Sequence, residues 1–428
     1  MTKFPLHIYQ VSAVANAFVI RDVDPDDRVP PIDWKDSPAS SKRLRRTIST
    51  APPSLDVEGV TWIPLDEDAD PIDDGALAEA EIDRRVALEA AAADLAQQLS
   101  GTAAAWQRCG GNLLPRFQRL QQAGVLDLLT CAATHGYLPL LRDCPEAVRA
   151  QLLTAVREHQ RLLGFRPQGI WLPECAYYEG LDRLLVSCGL RYAILDAHGL
   201  LHGQPRPRYG VYAPICTPAG MAFFGRDSES TLPVWSARDG YPGDASYREF
   251  HRDLGWDLPD GELEQRGIGC RRPLGLKLHR VSSRDCGLDG KRPYEPSAAQ
   301  ATVRRDAAHY LQGRAQHLQH LKGAMERAPL LVAPFDAELF GHWWYEGPEF
   351  LNLFVRKACH DQQVFELVTP HDYLCKHPTQ QVAQPSASSW GEEGYWRVWL
   401  NEQNEWIQPH LQVAQERMTD LARRFPNA

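Results

Sequence analysis

Residues Gly169-Ile-Trp-Leu-Pro-Glu174-Cys-Ala-Tyr177 form a short apolar run that stops at a carboxylate and continues into an aromatic side chain. A second run of this kind is Ala333-Pro-Phe-Asp336-Ala-Glu-Leu-Phe-Gly-His342-Trp-Trp344. Sites that act on sugars need two acids for bond cleavage and flat rings that stack on a pyranose. The two runs therefore predict that Glu174 and Asp336 carry out such chemistry, with Glu338 as a rival acid.

Strand and helix patterns alternate along the chain on both sides of Glu174. This alternation predicts an α/β protein with a parallel sheet. In a β/α barrel the carboxyl ends of the strands form the active-site face, where His135, Asp196 and His198 would join Glu174. A lone histidine at such a position also suits a structural role. The predicted strands are Val125–Cys131, Gly169–Leu172 and Tyr192–Leu195, and the helices are Leu113–Ala123, Pro145–Leu163 and Leu181–Cys188.

The rest of the chain has less regular patterns. Residues 22–74 are rich in Pro, Asp and Ser, which predicts a loop or a disordered segment. Residues 76–99 predict a helix, but we expect no compact domain within residues 1–101. The remaining predictions are a Gly- and Pro-rich region at Pro205–Arg280, a helix at Ser297–Arg327, strands at Leu330–Pro334 and Val364–Thr369, and a closing helix to Phe425.

The bulk composition argues against several classes of protein. The net charge of −9 disfavours nucleic-acid binding, which needs a basic face. No stretch is long and apolar enough to span a membrane, and the N-terminus lacks the apolar core of a secretory signal, so we expect a cytoplasmic protein. The 10 cysteines lack the spacing of a zinc site or a disulfide framework. No Gly-x-Ser-x-Gly elbow follows a strand, which weighs against a serine hydrolase.

Half of the 12 tryptophans lie between residues 343 and 406. Such a concentration suits a ligand platform, but tryptophan also anchors ordinary helix packing. The small residues Ser386-Ala-Ser-Ser389 precede Trp390. We expect these small neighbours to leave the Trp390 ring exposed, with room for a sugar to stack.

Several blocks together resemble the 1,4-α-glucan branching enzymes of glycoside hydrolase family 57, from Trp106 to the C-terminus. Besides the two runs quoted above, the blocks are Thr130-Cys-Ala-Ala-Thr-His135-Gly-Tyr137, Ile194-Leu-Asp196-Ala-His198-Gly199, Trp235 with Gly240-Tyr241-Pro-Gly-Asp244, Ser386-Ala-Ser-Ser-Trp390-Gly391, Tyr395-Trp-Arg-Val-Trp399-Leu400 and Asn404-Glu-Trp406. The resemblance implies an α/β fold: an incomplete (β/α)7 barrel at residues 106–375 and a C-terminal helical glucan-binding domain at 376–428. Residues 1–105 form a divergent segment before them.

The resemblance also implies roles for individual residues. Glu174 is expected to be the nucleophile and Asp336 the acid/base, with carboxyl oxygens about 5–6 Å apart, as retention of configuration requires. Trp390 and Trp399 are expected to hold the acceptor glucan, and Tyr241 to lie on a mobile loop over the cleft. No metal or other cofactor is implied, and the partner is an α-glucan such as amylose or glycogen. The expected substrate-binding residues are His135, Trp171, Asp196, His198, Trp235, Tyr241, His342, Trp390 and Trp399.

One motif of the family is missing from this chain. The family begins with a strand that ends in His-x-His-x-Pro, whose imidazoles line the donor subsite, whereas the only histidine before His135 is His7. We therefore expect a gap or an exposed strand edge in the barrel, and weak or absent activity. A strand at Leu6–Val11 that closed the barrel and placed His7 beside Glu174 would contradict this expectation.

Three functions are compatible with these residues. The first is α-retaining transglycosylation that makes α-1,6 branches, as in glycogen biosynthesis. The second is an α-amylase or 4-α-glucanotransferase on the same fold, which differs only in the acceptor. The third is a catalytically impaired glucan-binding remnant, which the missing histidines support. The aromatic block from Trp390 to Trp406 favours branching.

Overall fold

The computed structural model describes residues 18–22, 75–283 and 285–426. The chain divides into two compact units, one made of Met1–Val23 with Ala87–Ala428 and one made of Asp24–Val86. The described part of the second unit is the start of a helix at residues 75–86. Apart from this start of a helix, all elements given below belong to the first unit.

The strands are β1 (Phe18–Asp22), β2 (Gly169–Ile170), β3 (Tyr192–Leu195), β4 (Ile215–Cys216), β5 (Ala222–Gly225), β6 (Leu330–Ala333), β7 (Phe365–Val368) and β8 (Gln381–Val382). The helices are α1 (Gly75–Arg108), α2 (Leu114–Gln122), α3 (Pro145–Leu163), α4 (Leu181–Ser187), α5 (Ala197–Leu201), α6 (Ser228–Trp235), α7 (Leu254–Asp257), α8 (Asp260–Gln265), α9 (Pro296–Ala324), α10 (Gly347–His360), α11 (Pro370–Lys376) and α12 (Gln408–Arg424).

A five-stranded sheet carries most of the strand ends that the sequence singled out. Its order is β2-β3-β5-β4-β8. The pairs β2–β3, β3–β5 and β4–β8 are parallel, whereas β4 and β5 are antiparallel. The short turn between β4 and β5, closed by a 2.8 Å bond from Thr217 N to Met221 O, allows only antiparallel pairing. The fold is therefore α/β as predicted, but its sheet is mixed, and the expectation of a parallel sheet is wrong for the β4–β5 pair.

The second sheet contains a strand that the sequence did not predict. Its order is β6-β1-β7, and β1 runs antiparallel to both neighbours. Val19 pairs with Val332 on one side and with Val368 on the other. The predicted gap or exposed edge is therefore wrong between β6 and β7, because β1 satisfies the facing hydrogen-bonding groups of both. The alternative closure by Leu6–Val11 lies outside the described residues, as does His7. Of the loop predicted for residues 22–74, only Asp22 is described, and it ends β1 instead.

The strand predicted at Val125–Cys131 is also wrong. Thr130 alone pairs with a neighbour, in an isolated parallel bridge to Ile170. Its amide donates to Gly169 O at 3.1 Å, and the amide of Trp171 donates to Thr130 O at 2.8 Å. The apolar residues Leu128 and Leu129 are buried by packing rather than by a strand ladder. The chain still reaches the edge of β2 here, which places the residues after Thr130 next to those after Ile170.

A proline and a glycine in the sequence mark the two observed ends of helix α3. Helix α3 has the predicted bounds, with Pro145 in its first turn and Gly164 closing it in a left-handed conformation at φ 82°. Its apolar face, which includes Leu152 and Val156, packs beneath the five-stranded sheet. A separate core lies around α9 and α10, and Ala91 from α1 is buried within it. That contact was not expected from the acidic, alanine-rich sequence of α1.

Candidate active site

Glu174 lies just beyond β2 in a strained turn. Both Glu174 and Cys175 have left-handed backbone conformations, with φ 60° and 52°. For residues other than glycine this conformation costs about 1–3 kcal/mol each and is common at functional sites. The amide of Trp390 donates to Glu174 O at 3.0 Å and holds the turn. The turn directs the Glu174 carboxylate away from the strand axis, toward groups that the sequence separates widely.

Two groups donate hydrogen bonds to the Glu174 carboxylate. His135 Nε2 lies 3.1 Å from Oε1, and the indole Nε1 of Trp390 lies 2.8 Å from Oε2. The bond from His135 is the main cause that lowers the pKa of Glu174, and the bond from Trp390 adds to it against the opposing effect of burial. Glu174 is therefore ionised at neutral pH, as a nucleophilic carboxylate must be.

His135 is itself held between two groups. Its Nδ1 lies 3.4 Å from the sulfur of Cys131, and its backbone is left-handed at φ 54°. The contact with Cys131 and then the bond to Glu174 raise the pKa of His135 to about 10. At neutral pH His135 is therefore an imidazolium that faces a carboxylate. The sequence identified His135 but not Cys131, because an isolated cysteine carries no spacing signal.

Asp336 follows β6 and begins the turn Ala337–Leu339. Burial, together with the negative charges of Glu338 and Glu174, raises its pKa to about 6, against the opposing effect of the positive charges of His135 and Arg226. The pKa values of Glu174 and Asp336 are thus shifted in opposite directions. Two carboxyl groups whose surroundings separate their pKa values are the usual arrangement of an acid/base paired with an ionised partner.

Tryptophan rings connect the surroundings of the two acids. The Trp390 ring lies edge-on to Trp171, with centroids 4.8 Å apart, and edge-on to Trp235 at 5.9 Å. Trp235 in turn lies 6.2 Å from Trp343 and 6.4 Å from Phe335, the residue before Asp336. Trp171, Trp235 and Trp390 are thus brought together near Glu174, with Trp171 buried, and their roles in substrate binding stay a prediction.

Asp196 and His198 form a second polar group beyond β3. His198 Nδ1 lies 3.3 Å from Asp196 Oδ1, and His198 Nε2 donates to Gly394 O at 2.7 Å. The bond to Asp196 raises the pKa of His198. Burial alone would raise the pKa of Asp196, but the bond from His198 and the charge of Arg226 outweigh it and lower that pKa.

Arg226 joins this polar group to the tryptophans and was not predicted. Its guanidinium donates to Asp196 Oδ2 at 3.1 Å and lies 5.9 Å from the centroid of Trp390, in a cation–π position. Arg226 follows β5 directly. Polar residues directly after predicted strands were the candidates for the site. Arg226 would have been among them if residues 222–225 had been predicted as a strand.

Three predicted site residues, Trp399, Tyr241 and His342, make no hydrogen bond with Glu174 or Asp336 among the residues that the structure describes. Trp399 stacks on Tyr137 at 4.4 Å and 22°, so one of its faces is already covered. Tyr241 donates to His309 Nδ1 at 2.7 Å and packs on Phe350. His342 is exposed beside Phe250, with ring centroids 5.5 Å apart. Trp399 remains near the site, because the charge of Glu174 contributes, after burial, to raising the pKa of Tyr137 to about 12.

The reason given for the small residues before Trp390 is wrong. Ser388 and Ser389 are fully buried, and Trp390 itself is half-buried. A side chain at Gly199 would lie 3.0 Å from Ser388 Cβ and collide with its hydroxyl. Small residues are required because this segment crosses α5 closely and pairs with Tyr177 through reciprocal bonds of 2.8 and 3.1 Å.

Neither a metal site nor a membrane span is found in the described part of the chain. Within residues 81–283 and 285–426, no group of three His, Cys, Asp or Glu side chains is placed to hold a metal ion. No helix among those described is long and apolar enough to cross a membrane. The candidate site therefore consists of carboxylates, imidazoles, a guanidinium and indoles.

Comparison with known proteins identifies similar chains. Residues 76–258 match the model of glycosyl hydrolase family 57. A 1,4-α-glucan branching enzyme of Thermococcus kodakarensis is 32% identical over 349 residues, which is 75% of this chain and 48% of that protein. The chain spans about half the length of the curated relatives it matches.

Solved structures agree with this similarity. The crystal structure of a GH57 branching enzyme from Thermococcus kodakaraensis matches with a TM-score of 0.68 and 30% identity, over 82% of this chain and 67% of that one. The α-amylase AmyC from Thermotoga maritima matches with a TM-score of 0.70 and 38% identity, over 76% and 61%.

Proposed function

Because the chain belongs to glycosyl hydrolase family 57, we propose that it breaks α-1,4 linkages of a glucan and rejoins the released segment as an α-1,6 branch. The observation that carries the proposal is the opposite shift of the Glu174 and Asp336 pKa values in surroundings linked by tryptophan rings. The names of the similar branching enzymes support the choice of reaction.

In the first half of the proposed reaction, ionised Glu174 attacks the anomeric carbon. Asp336, whose pKa is about 6, donates its proton to the leaving glycosidic oxygen. The bond from Trp390 holds one carboxylate oxygen in place while the other attacks. The product is a glycosyl ester of Glu174 and a shortened glucan chain. Retention of configuration requires the two carboxyl groups about 5–5.5 Å apart.

In the second half, Asp336 acts as the base. It removes the proton from the 6-hydroxyl of an acceptor glucan, whose oxygen then displaces Glu174 and forms the α-1,6 bond. We assign Trp390 and the exposed face of Trp399 to the acceptor, and His135, Asp196 and His198 to the donor sugar. Tyr241 and His342 are assigned to more distant parts of the substrate.

A second candidate function is hydrolysis, in which water replaces the acceptor sugar. The similarity to the AmyC structure, which is named an α-amylase, favours it. The chemistry up to the glycosyl ester is the same for branching, hydrolysis and 4-α-glucan transfer. The block of aromatic residues around Trp399 supports a sugar acceptor, because a stacked ring competes with water for the site.

The proposal includes a barrel architecture and domain boundaries. The amide of Asp227, just after β5, donates to Val332 O of β6 at 2.8 Å, so the two sheets meet at this point. This contact supports the proposed incomplete (β/α)7 barrel at residues 106–375. Strand β1 of the proposed N-terminal segment at 1–105 and strand β8 of the proposed helical glucan-binding domain at 376–428 pair with strands of this region. A cytoplasmic role in glycogen biosynthesis, without a metal, completes the proposal.

Incubation of the purified chain with amylose tests the reaction. Branching lowers the absorbance of the iodine complex without releasing reducing ends, whereas hydrolysis lowers the absorbance and releases reducing ends. Glu174→Gln is the control, because it keeps the shape of the site but removes the nucleophile. Iodine absorbance that falls equally with the native chain and with Glu174→Gln would contradict the proposal.

A further inference from the structure

A groove separate from the candidate active site lies between α12 and the chain before α3. Its volume is about 940 Å³, at the upper end of the range of about 300–1,000 Å³ for small-molecule sites. Pro139 and Leu140 form one wall, and Trp396 and Trp406 contribute indole rings. The groove is not explained by the reaction proposed above.

The indole of Trp406 has the properties of a stacking platform. It is 65% exposed, yet its Nε1 donates to Gln403 O at 3.1 Å, so the ring is fixed without being buried. A ring that is already ordered loses little conformational entropy when a ligand stacks on it. The apolar face of a pyranose suits such a ring.

The side of α12 that lines the groove is polar. Its lining residues recur at helical spacing along one face: Gln408, Gln412, Gln415, Thr419 and Arg423. The exposed large apolar residues of this helix are different ones: Leu411, Val413, Met418 and Leu421. A groove shaped for another helix would be lined by the apolar set. Amide and hydroxyl groups instead match the hydroxyl groups of a sugar chain.

The charge of the groove excludes anionic ligands. Two arginines line it, and one of them, Arg423, is paired with Glu146. The acids outnumber them: Asp143, Glu146, Glu402, Glu405, Glu416 and Asp420. Phosphate or nucleic acid would be repelled. A neutral chain rich in hydroxyl groups is accepted, because carboxylates accept hydrogen bonds from them.

The groove lies next to the candidate active site. Tyr137 stacks on Trp399, and the charge of Glu174 contributes to raising its pKa. Tyr137 lies two residues before Pro139 in the chain. Trp396 lies three residues before Trp399 in a turn, and the amide of Trp399 donates to Trp396 O at 2.9 Å. The aromatic pair of Tyr137 and Trp399 therefore stands between the two sites.

We propose that this groove is an accessory site for a neutral α-glucan chain, stacked on Trp406 and hydrogen-bonded to the polar face of α12. The inference rests on the proposed function for the identity of the sugar. It assigns to Trp406 and Gln412 a role in holding a long glucan whose end reaches the catalytic residues.

Binding to glycogen in a native affinity gel tests this site independently of turnover. All variants are made with Glu174→Gln, so that the glucan is not altered. Trp406→Ala is expected to weaken glycogen binding about five- to tenfold, the effect of losing one stacked ring. Gln412→Ala is expected to weaken it less. Trp256→Ala is the matched control, because Trp256 is 51% exposed on α7 and does not line the groove.

The outcomes separate this inference from the proposed function. If Trp406→Ala and Gln412→Ala both bind glycogen as tightly as Trp256→Ala, the accessory site is wrong, whatever the activity of the chain. If they bind more weakly while the native chain forms no branches, the site stands and the proposed reaction fails. In an active chain, Trp406→Ala should raise the KM for amylose more than the KM for maltoheptaose.

Discussion

Trp390 is hydrogen-bonded to Glu174 twice, through its backbone amide to Glu174 O at 3.0 Å and through its indole to the carboxylate at 2.8 Å. The two residues are 216 positions apart in the sequence. The C-terminal segment therefore holds both the backbone and the charge of the proposed nucleophile. This relationship makes the segment part of the proposed catalytic site rather than only a surface for substrate.

Replacing Trp390 tests the indole bond separately from the backbone bond. Trp390→Phe keeps an aromatic ring and the amide but removes the donor to Glu174. Because that donor lowers the pKa of Glu174, its loss should raise that pKa and move the acidic limb of the kcat/KM profile to higher pH. An acidic limb that stays in place would show that the indole does not act on the carboxylate.

His135→Gln should move both limbs of the pH profile in the same direction. The charge of His135 lowers the pKa of Glu174 and also that of Asp336. Without it, both pKa values rise, so the acidic and the alkaline limbs shift to higher pH. His320→Gln, on the exposed face of α9, is the control. A shift of the acidic limb alone would contradict the electrostatic link between His135 and Asp336.

Asp336→Asn should stabilise the fold above pH 6. The folded-state pKa of Asp336 is about 6, above its ordinary value of 3.8, so ionisation costs stability as the pH rises through this interval. Removing the charge should therefore add about 1–2 kcal/mol to the free energy of unfolding at pH 7 and nothing near pH 3. Urea unfolding at the two pH values measures the difference. An equal effect at both would assign the change to packing instead.

Gly199→Ala should destabilise the crossing between α5 and the segment before Trp390. The added methyl group would collide with Ser388, which is fully buried and has no space to move. Such overpacking costs about 1–3 kcal/mol. Gly313→Ala is the matched control, because it lies within α9 with nothing within 4 Å of the new atom, and it should be neutral or stabilising. Thermal unfolding of the two variants compares them, and equal melting temperatures would contradict the close crossing.

Activity of the native chain should be weak in comparison with that of family members that have the His-x-His-x-Pro strand. The donor subsite of this chain would lack those two imidazoles, because His7 is the only histidine before His135. The kcat for amylose is the quantity to compare between this chain and such a relative. A rate equal to that of a relative with the motif would show that other groups replace the imidazoles.

Local signals predicted much of the fold. The bounds of α3 and β3 were predicted correctly, because apolar residues at helical spacing and a short apolar run are local patterns. Strand β1 was missed because its partners, β6 and β7, lie more than 300 residues away. The apolar run at Val125–Cys131 was misread because burial without pairing gives the same sequence pattern as a buried strand.

Part of the candidate site was also predicted from local signals. Glu174, Asp336, Asp196 and His198 follow strands and were found from that position. Cys131 was missed although its partner, His135, is only four residues away, and Tyr137 was missed because its partner, Trp399, is distant in the sequence. The burial of Ser388 against Gly199 depends on two segments crossing. Periodicity and composition contain no information about such contacts.

Trapping of the glycosyl ester tests the central claim most directly. α-Maltosyl fluoride carries a leaving group that needs no proton, so Asp336→Asn should form the ester but lack the base that resolves it. Mass spectrometry of the digested protein should then show one maltosyl group on the peptide that contains Glu174, and none in the double variant with Glu174→Gln. A maltosyl group on Glu338 or on another residue, or no adduct at all, would contradict the assignment of Glu174 as the nucleophile and Asp336 as the acid/base.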